Sequence, residues 1–398
     1  MILLIIIFFL FSDLDVFNLS IDELIAFSLQ NNKTYLSISQ NPKITKGEVI
    51  TAGLLPNPTA AYSYTFIGSK PLTDAGAPES TPSLSMEVDF FKKRSKREEH
   101  AKNRLLSEEL SLKEFTRDFS LHIKYTYREL IFISDQIKYK KEFLLTYLDL
   151  LKSSMIRLKN GDISGVEYDR LDLERIVYES EFLNLELRLE NISQKMRLLL
   201  GIPYQEGPLI LKGKFVFEEL QNLPRLENTR YDIAILKKKL EEAQSYLILK
   251  QAERWPSFHI GSEYRKKGDK GFLGIYLSIP LPIFNHQQGE IVSAKEKITK
   301  LEYELEGKQN QVNIDILEKK NELLKREKMM KNYEELKLLE KNTLLAQRSR
   351  FAYLKQSYSV LALIESQRNY INVNWNYHEQ LFLYYVAYDN YISSIEGI

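Results

Sequence analysis

Two rhythms of hydrophobic and polar residues share this chain. In the first, Tyr62, Tyr64 and Phe66 alternate with Ser63 and Thr65, and Leu84, Met86, Val88 and Phe90 alternate with Ser85, Glu87 and Asp89. Further on, Phe258 and Ile260 alternate with His259 and Gly261, while Leu273, Ile275, Leu277, Ile279 and Leu281 alternate with Gly274, Tyr276, Ser278 and Pro280. A period of two gives each strand one apolar and one polar face. Each run is close to the ~9–11 residues that a tilted strand needs to cross a bilayer.

The second rhythm is sevenfold. Residues 92–159 contain no proline and no glycine, and at ~1.5 Å per residue they predict a helix on the order of 100 Å long. Ile123, Leu130, Ile137, Leu144, Leu151 and Leu158 form its seam, with Tyr127, Leu148 and Met155 as a partial second row. Asn160-Gly161-Asp162 is a turn signal. A return helix over 165–200 carries Leu171, Tyr178, Leu185, Ile192 and Leu199, and stops at Gly201-Ile202-Pro203. A second long helix, 288–354, carries Leu317, Leu324, Leu338 and Leu345, with Lys331 interrupting the row; a turn at 355–359 leads to a return helix ending near 394.

The layout is thus stated twice. Ala52-Gly53-Leu54-Leu55-Pro56 is echoed by Ala252-Glu253-Arg254-Trp255-Pro256, and each is followed by strand, loop, strand and long helical hairpin. The first repeat covers 19–203: N-terminal helices, a β-hairpin over 59–91 with a loop at 68–82, and a helical hairpin over 92–201. Its first helix, 18–31, has Ser20 and Glu23 placed for a capping box, and a second helix over 42–54 stops at Pro56-Asn57-Pro58. Residues 204–227 have no helical period and predict an irregular segment. The second repeat covers 228–398: a helix, a β-hairpin over 256–284 and a helical hairpin over 286–394.

Composition narrows the function classes. With 55 basic and 54 acidic residues, no bulk field draws the chain to nucleic acid. A charged fraction of 27% argues against a multi-span helical membrane protein. The absence of cysteine excludes disulfides, thiol catalysis and Cys-based metal sites. Residues 1–11 are all apolar, too few for a spanning helix of ~20 residues, and 1–12 are read as an atypical export signal; a buried N-terminal strand is the alternative. Any insertion into a membrane must therefore use the strands. Four half-apolar strands cannot close on themselves, and an open edge in lipid leaves backbone groups unpaired at several kcal/mol each. The strands need other copies around an axis. Three copies give twelve strands and a polar lumen.

Ala52-Gly53-Leu54-Leu55-Pro56-Asn57-Pro58 resembles the segment leading into the first strand of TolC-like outer membrane efflux proteins. Arg157 to Asp172 (RLKNGDISGVEYDRLD) resembles the first hairpin tip of that family, Leu198-Leu199-Leu200-Gly201 its helix ending, Leu277 to Phe284 its second strand exit, and Tyr353 to Arg368 its second tip. The likeness runs from about Leu19 to Ile392. It implies a mainly α fold with a small β part: a homotrimer with a 12-stranded outer-membrane β-barrel, continued by a periplasmic α-helical barrel. It further implies an outer membrane channel-tunnel in a diderm bacterium, docked to a periplasmic adaptor (membrane fusion protein) and an inner-membrane RND or ABC transporter. Such a duct conducts drugs, metal ions or proteins passively.

By the same resemblance, Glu365 matches an acid whose ring narrows the periplasmic entrance, although its companion one turn earlier is Ala362 here. Glu167 matches an acid that latches the closed state and Tyr353 its tyrosine partner, while the family's arginine partner falls at Tyr358. Gly161, Asp162, Ile163 and Ser164, with Gln356 and Ser357 at the second tip, match the adaptor contact. For all of these, an ordinary turn or a solvated coiled-coil surface is the competing explanation.

No enzyme chemistry is predicted. His100, His122, His259, His286 and His378 form no HExxH set; His286 and Glu290 share a helical face only as a pair. No phosphate loop or serine nucleophile elbow is present, so neither cofactor nor metal is expected. The cluster Lys92-Lys93-Arg94-Ser95-Lys96-Arg97 reads as a solvated or headgroup-facing helix start. A coiled-coil scaffold protein of the envelope, without a pore, is the alternative function, and it leaves the alternating hairpins unexplained.

Overall fold

The computed structural model describes residues 19–65, 78–209, 211, 213, 216–220, 222–224 and 230–397. The predicted export signal, most of the first hairpin's loop and parts of the irregular segment lie outside them. The elements in order are α1 (Ile21–Asn31), α2 (Lys33–Ile38), α3 (Asn41–Gly53), β1 (Thr59–Thr65), β2 (Glu79–Val88), α4 (Lys93–Lys159), α5 (Gly165–Leu200), α6 (Tyr231–Glu253), β3 (Phe258–Lys267), β4 (Lys270–Ser278), α7 (Gln288–Glu335), α8 (Leu338–Leu354) and α9 (Val360–Ile395). The chain is mostly helical with one small antiparallel sheet. The described residues fall into two compact units, one within 1–38, 115–230 and 312–398, the other within 39–114 and 231–311, so each draws on both halves of the chain.

Several backbone features recur at matching positions in the two hairpins. Left-handed residues precede both long helices at Lys92 and Gln287, and close both tips at Gly161 and Gln356. Serine caps start both return helices at Ser164 and Ser359. Positions 92 and 287, 161 and 356, and 164 and 359 each differ by 195. Both return helices are 36 residues long. Asp89 and Asn285 each accept the backbone N–H two residues on, the Asx turn that bends a strand exit into a helix start.

In the helical unit the first seam packs as its spacing predicts. Ile123 and Leu130 of α4 are fully buried against Leu24, Ile192, Met196 and Leu200, with Ile137 at the margin. Leu151 joins Leu171 and Tyr178 in a second cluster. Ser20 and Glu23 form the predicted capping box on α1. At the other end of α1, Ser28 Oγ and Asn32 Nδ2 donate to the terminal carbonyls of α5 at Leu199 and Leu198. Gly201 is left-handed there, and a Cβ on it meets the Asn31 carbonyl oxygen at 2.6 Å, so glycine is required twice over.

The second seam differs from expectation. Of the expected row, Leu317, Leu324 and Leu345 are exposed; the inward row on α7 is the half-buried Ile316 with the buried Leu323 and Met330, one residue earlier. The cause lies on α9, where Tyr377, Tyr384 and Tyr391 recur every seven residues and fill the interface. Their size rotates α7 away from its leucines. Tyr384 and Tyr391 also donate to the carbonyls of Glu218 and Pro224, tying down the irregular segment. The expected single helix over 288–354 is broken in two, because Lys337 adopts φ 52° and turns the chain out of the helix after Glu335.

In the other unit all four strands join one sheet in the order β1-β2-β3-β4, each pair antiparallel. Pro82, expected in the loop, lies inside β2 opposite Tyr62. Its missing N–H is accommodated because the β2–β3 ladder skips Thr81 and Pro82. The last strand stops at Ser278, before the expected Leu281, with Pro280 two residues on.

Candidate functional site

Register sorts the sheet residues onto two faces, since directly opposed residues in an antiparallel ladder point the same way. Ala60, Leu84, Ser262 and Ile275 form one row across the four strands; Met86, Ile260 and Leu277 form the next. Tyr62, Tyr64, Tyr264 and Leu273 belong to the same face. The opposite face carries Ser63, Thr65, Ser83, Ser85, Glu79, Glu87, His259, Glu263, Arg265 and Lys267, with Arg265 bridged to Glu79 and Glu263.

The apolar face is not a core. Leu273 is 82% exposed and Ile275 85% exposed, and Tyr62, Leu84 and Leu277 are more than half exposed. Rings edge this face at both strand ends. Tyr64 and Tyr264 stand toward the β3–β4 turn. At the helix side Phe90 packs edge-on against Phe258, and Phe91 stacks on Trp255 with centroids 5.4 Å apart. An apolar band flanked by aromatic residues and backed by a polar face is the pattern of a membrane β-strand wall. β1 and β4 are the outer strands, with no further strand beside either among the described residues.

Of the basic cluster at the start of α4, Lys93 is structural: it is buried and its ammonium donates to the Trp255 carbonyl and the Ser257 hydroxyl at 2.6 and 2.9 Å. His286 precedes the start of α7 at Gln288, so it shares no helical face with Glu290, whose carboxylate instead accepts the Tyr246 hydroxyl.

Both hairpin tips have the same construction. At the first, Asp162 N–H reaches the Arg157 carbonyl and Gly161 N–H the Leu158 carbonyl; at the second, Ser357 N–H reaches Ala352 and Gln356 N–H reaches Tyr353. These are Schellman turns with a left-handed residue at Gly161 (φ 78°) and Gln356 (φ 61°). Asp162 and Ser164 are exposed, whereas Ile163 is buried.

The structure places the expected gate residues in three different settings. The Glu167 carboxylate accepts the backbone N–H and hydroxyl of Ser164, closing a capping box on α5. Tyr353 is buried at 1% exposure among Tyr147, Leu171, Val360 and Leu363. Its partner across the hairpins is Arg157, which donates to the Tyr353 carbonyl at 3.0 Å and lies 4.6 Å over its ring. Glu365 is exposed on α9.

Sequence reasoning missed the ties that join the two hairpins. Arg368 pairs with the buried Glu174 carboxylate and Arg128 with the buried Asp389; within the first hairpin, Tyr147 of α4 donates to the Leu171 carbonyl of α5 at 3.0 Å. Burial and the adjacent Glu174 carboxylate push the Tyr178 phenol up, so it stays protonated. Partners so far apart in the chain leave no local spacing to find. Among the described residues no group of three metal-ligating side chains converges, and no helix is long and apolar enough to cross a membrane.

Solved structures supply the comparison. The outer-membrane channel OprN is 14% identical, with a TM-score of 0.82 over 95% of this chain and 90% of that one. The Campylobacter jejuni CmeC outer membrane channel is also 14% identical, with a TM-score of 0.80 over 95% and 85%. The fold is that of the outer membrane channels. The Vibrio cholerae outer membrane protein VceC, 15% identical, has it too, with a TM-score of 0.78 over 95% of this chain and 96% of that one. No known family's sequence profile matches the chain, and no curated protein matches it. The outer membrane channel fold is therefore evident in three dimensions at identities where sequence comparison is silent.

Proposed function

We propose that this protein is the outer-membrane duct of a tripartite efflux or type I secretion system, a passive homotrimeric channel-tunnel of the TolC-like kind. One observation carries the reading: a four-stranded sheet with an exposed apolar face, a charged opposite face and two open edges. In water the apolar face is a liability, and in lipid the open edges are. Joining β1 of one copy to β4 of the next removes both problems. Three copies give a twelve-stranded wall with Glu79, Glu263 and Arg265 toward a wet lumen.

The helical unit supports the same assembly. On α5, Val166, Leu173, Ile176, Leu183 and Leu187 follow coiled-coil spacing yet are exposed, as are Ile314, Leu317 and Leu324 on α7. These seams are left exposed among the described residues and suit contact between copies. The resemblance supplies the remaining roles. The tips at Gly161–Ser164 and at Gln356 and Ser357 meet a periplasmic adaptor, which links the duct to an inner-membrane RND or ABC transporter. Glu365 lines the narrow entrance, where three carboxylates around an axis favour cations. The tie between Tyr353 and Arg157 takes the place of a latch through Glu167.

Because the chain has no native cysteine, paired cysteines on β1 and β4 test the assembly directly. Oxidation of the detergent-purified protein is expected to give covalent dimers and trimers, and the uncrosslinked protein to conduct ions in planar bilayers. Monomeric, water-soluble material that passes no current refutes the proposal.

A further inference from the structure

Two of the helical unit's three hydrophobic clusters leave an unfilled gap between them. One core ends at Leu185 and Trp375, the other at Phe143 and Tyr370. Between them α4, α5 and α9 leave a cavity of about 450 Å³. That size lies within the ~300–1,000 Å³ of small-molecule sites. Its walls are the rings of Tyr139, Phe143, Tyr370 and Trp375, and its polar margin includes Gln136 and Asn184.

Two features set the chemistry of an occupant. The first is Gln136. It is 5% exposed, and its Nε2 is buried with no hydrogen-bond partner among the described residues. A buried donor left unmade destabilises the fold, and an acceptor brought to it is correspondingly favoured. The second is charge. Lys140 is already paired with Glu181, and Arg188 with Glu129 at 2.7 Å. No unpaired charge lines the wall to attract an ion. What remains is flat aromatic surface beside one unanswered amide donor.

We propose that this cavity binds a neutral, planar aromatic molecule bearing a carbonyl acceptor, held between the rings and hydrogen-bonded by Gln136. Such a ligand touches α4 and α5 of the first hairpin and α9 of the second, so it also resists their separation. Ordered water is the competing occupant, since a polar, roomy cavity holds it readily.

The chain has two tryptophans, and Trp375 is in the wall. In the full-length Trp255→Phe protein it is the sole reporter. Titration with coumarin, an uncharged aromatic lactone, is expected to quench Trp375 emission saturably. Gln136→Leu is expected to weaken coumarin about fivefold or more while leaving naphthalene, which lacks the acceptor, unchanged. Asn374→Phe, which fills the cavity from α9, is expected to abolish saturable quenching by both. Linear, non-saturable quenching means water only, and overturns the proposal. So does equal coumarin affinity with and without Gln136, or full binding in Asn374→Phe.

Discussion

Replacing Ile275 by lysine separates a lipid-facing sheet from an ordinary solvated one. Ile275 is 85% exposed and shares its face with Leu84 and Ala60. It lies five residues from Lys270, where β4 begins at the hairpin turn. In a strand rising ~3.4 Å per residue and tilted ~40°, five residues correspond to about 13 Å along the membrane normal. That is near the middle of an apolar band ~25 Å tall, where a lipid-facing lysine costs about 2–4 kcal/mol. The folding equilibrium constant of each chain should fall by a factor of roughly 30 to 1,000, which lowers the urea midpoint. On a water-exposed sheet the same change stays within about ±0.5 kcal/mol. Ser63→Lys is the control: Ser63 is exposed on the opposite face, toward the proposed lumen, and should tolerate the charge. The assay is urea-dependent folding into phospholipid vesicles, read by the heat-modifiable band on gels. If Ile275→Lys folds as well as Ser63→Lys, the apolar face does not meet lipid.

Three further outcomes follow from the geometry. Gly201→Ala places a Cβ against the Asn31 backbone in a left-handed site and should cost about 2–4 kcal/mol, whereas Gly161→Ala, with open space around it, should cost only the ~1–2 kcal/mol of the backbone conformation; equal denaturation midpoints contradict this. Burial holds the His378 imidazole below its ordinary value, against the raising effect of Asp135. The unfolded chain therefore takes up its proton first as pH falls through ~6.5, and stability should decline below that pH. His378→Phe should flatten this acid limb in urea midpoints, and an unchanged slope excludes His378 as its source. Glu365→Gln should reduce cation selectivity in single-channel recordings, and identical selectivity removes Glu365 from the entrance.

The elements legible in the sequence were those set by short-range physics. The turn at Gly161, the return helix from Gly165 to Leu200 and the capping box at Ser20 depend only on residues a few positions apart, and each formed as its spacing predicts. The alternation of β2 and β3 likewise revealed both faces of the sheet. Long-range choices were hidden. Whether Leu323 or Leu324 faces inward is decided by tyrosines on α9, and no local pattern in α7 records their bulk. The break at Lys337 has no glycine or proline to announce it. Among the site residues, the turn position of Gly161 was legible from its own neighbourhood, but the burial of Tyr353 under Arg157 was not, because Arg157 belongs to the other helical hairpin.

The two helical hairpins share a plan but not a rigidity. The first uses glycine for its left-handed tip residue, and Glu167 completes its serine cap. The second puts Gln356 in the left-handed site and has Ala362 where Glu167 stands, so its Ser359 cap lacks the reciprocal bond. It also contains the left-handed Lys337, where the first copy runs unbroken through Glu142. Two side chains forced into the left-handed region cost about 2–4 kcal/mol together. Beyond the left-handed Lys92 and Gln287 that start the two long helices, that strain lies at the two ends of α8, while α4 and α5 contain no left-handed side chain. Local opening follows local stability. The second hairpin should therefore swing about Lys337 against a first hairpin that stays fixed, once Arg157 releases Tyr353 and Arg368 releases Glu174. Hydrogen exchange checks this: amides of α8 should exchange faster than those of α4 around Glu142, and Gln356→Gly should slow them. Equal exchange in the two segments rules out the asymmetry, because both face the same solvent and differ chiefly in these strained residues.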